Sequence, residues 1–421
     1  MKIKVKEMDY DAVRALKAEK RKAPRRPVAA MQLLVRLASI PDLKAVHFSY
    51  QKIHMERLGK KEPCLILMNH SSFLDLKIAS KLLFPRKYAI VCTSDGFVGK
   101  EKLMRAIGCI PTQKFVADTR LVSGIMHLIK KEHCSVLMFP EASYSFDGTA
   151  TPLPESLGKL VKLLDVPVVM IKTEGAFARD PLYNNLQLRK VDVFAKMEYL
   201  LSAEDIREKS AVEINALLKK EFTFDYFKWQ QENRVRIAED FRADDLNRVL
   251  YKCPHCQKET GMVGKGTTLT CRHCKNEYEL TEYGFLENKN GETKFSHVPD
   301  WYRWQRECVK KELENGTYRL DTEVSIYMLV DTKCIYHVGT GHLVHDKTGF
   351  CLDGCDGRLH YEQKPLASYS LYSDFYWYEI GDMICIGDRK VLYYCFPTDA
   401  KNVVAKTRLA VENLYKMCKE A

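Results

Sequence analysis

The stretch "LILMNHSSFLDLKIAS", residues 65–80, decides how the chain is read. Its apolar run, Leu65 to Met68, stops at Asn69 and His70, and Asp75 follows five residues after the histidine. A short, continuous apolar run is the pattern of a strand buried on both faces, as in parallel sheets. The segment "FLDLKIASKLL" then takes helical spacing. The stretch therefore predicts a strand, a loop carrying a histidine, and a helix with an aspartate in its first turn.

The same alternation continues over residues 62–200. "CLILM", "YAIVC", "SVLMF" and "VPVVMIK" read as buried strands, and "KEKLMRAIG", "TRLVSGIMHLIKK" and "SLGKLVKLL" as helices between them. This order predicts an α/β domain, a mostly parallel sheet flanked by helices. Ligands of such sheets sit beyond the C-terminal ends of the strands. His70 follows "CLILM" and Glu141 follows "SVLMFP", so both fall at that edge.

The chain has 421 residues, enough for two or three domains, with 46% hydrophobic and 29% charged residues. The net charge is +11, and residues 1–62, with 16 Lys/Arg against 7 Asp/Glu, supply +9 of it. Such an end suits an anionic membrane surface, nucleic acid or an acidic protein, or is a solvated arm. Residues 1–27 read as a flexible basic arm. "VAAMQLLVRLASI" follows as an amphipathic helix closed by Pro41, either packed on its own domain or lying on a membrane surface. No apolar run approaches the length of a membrane span, and no secretory signal opens the chain. The expected location is cytoplasmic, peripheral to the inner face of the cell membrane.

The expected organisation is a basic arm and helix over 1–60, an α/β domain with a helical extension over 61–250, a cysteine-rich module over 251–280, a helical connector over 281–317 and a β-rich domain over 318–421. In the last, short strands between Gly/Asp turns precede one amphipathic helix, the look of a pleckstrin-homology-like domain. The aromatic run "YSLYSDFYWYEIG" within it reads as core and edge packing.

By itself the His70–Asp75 spacing is weak, since about one such match is expected by chance in a chain of this composition. Three later blocks raise it: "GCIPTQK" at 108–114, "FPEASYSFDGT" at 139–149 and "VPVVMI" at 166–171. With H-x4-D, in this order, they resemble the glycerophospholipid acyltransferase family, the 1-acylglycerol-3-phosphate acyltransferases in particular, over roughly residues 60–200.

The resemblance implies transfer of a fatty acyl group from acyl-CoA or acyl carrier protein to the hydroxyl of a lysophospholipid, with phosphatidate as the first expected product. His70 would be the general base and Asp75 its orienter. A neutral imidazole suits the first task, and its second ring nitrogen needs an acceptor. The acceptor hydroxyl is then the nucleophile, and loop amides are expected to hold the thioester oxyanion. Gly108, Lys114, Glu141 and Ser143 are the substrate-binding positions by the same resemblance. Lys114 and Tyr144 stand where the family has arginine, and Ala142 where it has glycine. Lysine is a weaker bidentate phosphate clamp and tyrosine carries no charge, so the acceptor is less well determined than the reaction. Lys77, Lys100, Lys102 and Arg105 read singly as helix-surface charges, with binding of phosphate or the acyl carrier as the alternative.

Of 15 cysteines, most are single residues in apolar surroundings, as reduced buried thiols are. Cys253, Cys256, Cys271 and Cys274 differ. Two C-x2-C knuckles at this spacing read as a structural zinc ribbon that staples a small module, with His255 and His273 outside the ligand set. "CLDGC", Cys351 and Cys355, reads as a turn with incidental cysteines. Two other functions stay open: an acyltransferase for a different, non-phosphate acceptor, and a non-catalytic zinc-ribbon adaptor for nucleic acid or protein. Nucleic acid is the partner least expected.

Overall fold

A computed structural model describes residues 2–17, 22–112, 118–141, 143–399 and 401–420. Lys114 and Ala142 lie outside the described residues.

The first domain is a seven-stranded sheet in the order Ser49–Ile53, Phe194–Leu201, Val168–Glu174, Leu65–Met68, Ser135–Met138, Tyr88–Thr93, Cys109–Thr112. The last five strands run parallel, and Phe194–Leu201 pairs antiparallel with Val168–Glu174. The central strands are the apolar runs of the sequence because both their faces are covered. Leu65 and Leu67 join one apolar cluster with Leu128, Val161 and Leu218. Ile66 and Met68 face the other way, into a cluster with Ile78 and Leu82. Each buried leucine or isoleucine is worth about 1.5–3 kcal/mol of transfer free energy. A two-residue alternation thus locks the strand between two layers of helices.

Three expectations change here. The amphipathic helix spans Ala29–Ala45, so Pro41 lies within it instead of closing it. It packs on helix Asp75–Leu83 through Ser39 and Ser80 at 3.1 Å and Lys77 and Asp42 at 2.6 Å, tertiary contacts that offset part of the cost of the one backbone hydrogen bond a proline removes. The N-terminal segment, expected to be flexible, is anchored: Val5–Glu7 pairs parallel with the start of strand Ile335–Asp346, and Arg358 bonds Asp9 and Asp11. The "CIP" of the second block, read from the sequence as a short turn ahead of Lys114, is an edge strand, Cys109–Thr112. No helix among the described residues is long and apolar enough to cross a membrane.

Residues 251–288 hold a small antiparallel sheet, in the order Leu286–Asn288, Glu277–Leu280, Thr268–Cys271, Met262–Lys265. Helix Val298–Glu314 follows, with Trp301 fully buried and its indole N–H donating to the Lys252 carbonyl at 2.9 Å. The C-terminal domain is an antiparallel sheet in the order Leu359–Gln363, Gly349–Gly354, Ile335–Asp346, Leu320–Leu329, Leu392–Pro397, Gly381–Gly387, Tyr372–Trp377. Helix Val403–Glu420 packs against helix Val298–Glu314 and the sheet. One apolar cluster runs from Ile66 and Phe177 through Leu250 and Trp301 to Ile326 and Leu409, so the domains share a continuous core.

Candidate active site

Strand register brings the site together. Leu67 pairs with Met138 in parallel, and His70 and Glu141 each stand three residues farther on, level with one another. The His70 backbone N–H donates to Glu141 Oε2 at 2.7 Å, and the Thr151 N–H donates to Oε1 at 3.0 Å. Glu141 is therefore buried and engaged at both oxygens, a tie between two loops. Burial pushes its carboxyl up to about 7.

His70 Nδ1 lies 2.9 Å from Asp75 Oδ2. The same oxygen accepts the Ser71 N–H at 2.9 Å and the Ser72 N–H at 3.1 Å. Asp75 is 1% exposed while His70 is 22% exposed. The acceptor is thus sealed and rigid, and the ring it orients reaches solvent. With Nδ1 facing a carboxylate, the tautomer carries its proton there and leaves Nε2 as the basic nitrogen.

The imidazole lies between two aromatic rings. Phe139 stacks at 4.3 Å between centroids, Tyr144 lies tilted at 3.8 Å, and Phe73 is 5.6 Å from Tyr144. Burial, and then the charges of Asp75, Asp374 and Asp180, push the Tyr144 phenol far up, so it stays neutral. Asp180 accepts from Ser72 Oγ at 2.6 Å, and burial lifts its carboxyl to about 7. Asp374, from the C-terminal sheet, is lifted by burial to about 8. The surroundings of the histidine are aromatic and acidic.

Most of the backbone of this loop is engaged: the amides of His70, Ser71, Ser72 and Leu74 donate to Glu141, Asp75, Asp75 and Ser72 Oγ. The short polar side chains that follow the strand take up those donors.

The other expected positions fall as follows. Ser143 is buried, and its hydroxyl donates to the Tyr144 carbonyl at 3.4 Å. Gly108 has φ of +92°, and Pro27 ring atoms lie 3.0 Å from where a Cβ would stand. Only glycine fits a left-handed turn under that contact. In this structure Gly108, Glu141 and Ser143 shape and hold the loops. Sequence reasoning missed Asp180, Asp374 and the C-terminal Arg408, whose guanidinium donates to the Tyr144 carbonyl at 3.1 Å. Nothing in the local pattern of those segments marks them.

At the second cluster, Cys253, Cys256, Cys271 and Cys274 bring four sulfurs within 4.8 Å of one another. Cys253 and Cys274 Sγ are 3.6 Å apart, and Cys256 and Cys271 Sγ 3.7 Å. A tetrahedral shell with metal–sulfur bonds of about 2.3 Å has edges of about 3.8 Å, so the four thiols fit a metal ion.

Residues 50–172 match the family model described as Acyltransferase. Among solved structures, the chain is similar to the 1-acyl-sn-glycerophosphate (LPA) acyltransferase PlsC from Thermotoga maritima, at 14% identity and a TM-score of 0.37, over 45% of this chain and 78% of that one. No curated protein matches the chain.

Proposed function

The chain carries an acyltransferase-family domain over residues 50–172, and from this premise we propose that it moves a fatty acyl group from a thioester, acyl-CoA or acyl carrier protein, to the hydroxyl of a lysolipid. The observation that carries the reading is the buried Asp75 carboxylate, held by two amides and 2.9 Å from Nδ1 of a solvent-reaching His70.

In the reaction, His70 Nε2 takes the acceptor's hydroxyl proton as the oxygen attacks the thioester carbonyl. The carbon–sulfur bond then breaks, and the imidazolium returns its proton to the leaving thiolate. Asp75 keeps the Nδ1 proton in place and stabilises the cation between the two steps. No enzyme serine enters: Ser71 and Ser72 serve the loop.

The first acceptor is lysophosphatidate, giving phosphatidate, on the resemblance of the sequence blocks. A second acceptor class has its own support. Tyr144, where that family has arginine, lies over His70 with ring centres 3.8 Å apart and the planes tilted by 30°. A neutral phenol in place of a guanidinium offers no cation to a phosphate, which supports a less anionic head. Incubation with labelled acyl donor and a panel of phosphorylated and non-phosphorylated lysolipids, with the product identified by mass, tests both. Acyl transfer to none of them overturns the reading.

The four thiolates would hold zinc, and its closed sulfur shell would fold the ribbon and leave no open position for catalysis. The C-terminal meander capped by a helix supports a pleckstrin-homology-like assignment. Leu33, Leu34, Leu37 and Ile40 are exposed on the N-terminal helix, and Phe73 and Leu76 are exposed at the start of the helix it packs on. This apolar face, beside a basic N-terminal region and close to His70, fits peripheral contact with an anionic membrane.

A further inference from the structure

The C-terminal helix reaches the catalytic loop of the first domain. Arg408 is 3% exposed. One of its nitrogens donates to the Tyr144 carbonyl at 3.1 Å, and its guanidinium lies 4.4 Å from the centre of the Phe146 ring. Phe146 in turn stacks on Phe375 of the C-terminal sheet at 4.2 Å. Residues 144 and 146 are therefore both pinned from the C-terminal domain, one through its backbone and one through its ring.

Arg408 is itself held. Its Nε donates to Glu412 at 3.3 Å, and Glu412 also accepts from Arg306 at 2.6 Å and from Ser370 at 2.7 Å. Glu412 is 1% exposed, and this network spans the connector helix, the loop before strand Tyr372–Trp377 and the C-terminal helix. A buried guanidinium needs such partners, because removing it from water without them costs several kcal/mol. The network answers that need and leaves a second donor aimed at a backbone carbonyl.

That carbonyl belongs to the residue whose ring covers His70 at 3.8 Å. Asp75 fixes one nitrogen of the imidazole, but a single hydrogen bond leaves the ring free to rock about it. The Phe139 and Tyr144 faces remove that freedom. Of the two, Phe139 follows its own domain's strand directly, whereas Tyr144 lies in the loop pinned by Arg408. We propose that Arg408 is a positioning residue: through the Tyr144 carbonyl it seats the Tyr144 ring on His70, so the C-terminal domain completes the catalytic site. This rests on the role given to His70 above.

A double-mutant cycle on the full chain tests it, with R408M, Y144A and R408M/Y144A. Methionine keeps cover over Phe146 and removes the donor, and Glu412 retains Arg306 and Ser370. R408M is expected to lower kcat about 10–100-fold, the loss of one charge-assisted hydrogen bond acting through geometry, with the KM for the acyl donor unchanged. Y144A should fall by as much, Y144F should keep activity because the ring remains, and R408M/Y144A should be no slower than Y144A alone. Additive losses in the double variant, or wild-type kcat in R408M, overturn the proposal. If R408M does not fold, R408M/E412Q removes both charges together and is read in the same cycle against E412Q and Y144A. H70A is run beside them: full turnover in H70A defeats the catalytic reading, whereas inactive H70A with unaffected R408M defeats only this inference.

Discussion

Asp75→Asn separates the charge of the orienting group from its geometry. Three donors converge on Oδ2: the His70 ring and the amides of Ser71 and Ser72. An asparagine oxygen in the same place accepts all three, so the ring orientation and tautomer survive. The new NH2 group falls where Oδ1 is buried without a partner, so one unpartnered atom replaces another. The variant is therefore expected to fold. What it loses is the negative charge that steadies the imidazolium formed during transfer. Unit charges 4 Å apart interact by about 4 kcal/mol at an effective dielectric of about 20. The partial exposure of His70, 22%, reduces that figure by screening. A loss of about 2–4 kcal/mol corresponds to roughly 30- to 1000-fold in kcat. Steady-state release of the free donor thiol, measured with saturating acceptor, reads it directly. A D75N enzyme within threefold of wild type, correctly folded by circular dichroism, would refute the argument that Asp75 acts through its charge.

Three further outcomes follow from the structure. Burial lifts the Glu141 carboxyl from 4.5 to about 7, so the folded protein holds a proton the unfolded chain releases. That contribution to stability is full below about pH 4.5, falls as pH rises and is gone above about 7. E141Q, neutral throughout, should lose less Tm than wild type between pH 5 and 8, by an amount of up to about 3 kcal/mol in stability; an equal drop in both proteins contradicts this. Cys271→Ser should abolish binding of one zinc per chain and open the ribbon, residues 251–288, to protease; metal-free protein of undiminished Tm would argue against the zinc site. L33E/L37E removes two exposed leucines, each worth about 1.5–3 kcal/mol when buried in lipid, and should weaken sedimentation with anionic phospholipid vesicles more than tenfold. Unchanged sedimentation would remove this helix from the membrane contact.

The α/β core was legible because strands covered on both faces are apolar along nearly all their length. "LILM", "YAIVC" and "VVMIK" announce themselves, and their C-terminal ends place His70 and Glu141 at one edge. The edge strand Ser49–Ile53 was not legible, since it is exposed along most of its length and its sequence "SYQKI" carries no apolar pattern. Pro41 misled for a related reason: local propensity sees the missing amide but not the helix partner that compensates for it. The His70–Asp75 contact could be anticipated from spacing, because a strand end and the first turn of the next helix are close in any such unit. Arg408 could not. It lies 264 residues from Tyr144, and its helix reads as ordinary amphipathic surface until the two domains are docked. Tyr144 was visible only as a departure from the family's arginine. Its place, with its ring over the His70 imidazole, is a tertiary fact.

The most direct test of the central claim is the rate at which folded His70→Ala protein releases free thiol from the acyl donor in the presence of the acceptor that wild type uses. With His70 as the base, acyl transfer in H70A falls to the uncatalysed background while its circular dichroism and Tm match wild type. Product formation by H70A at a rate near that of wild type would contradict the account.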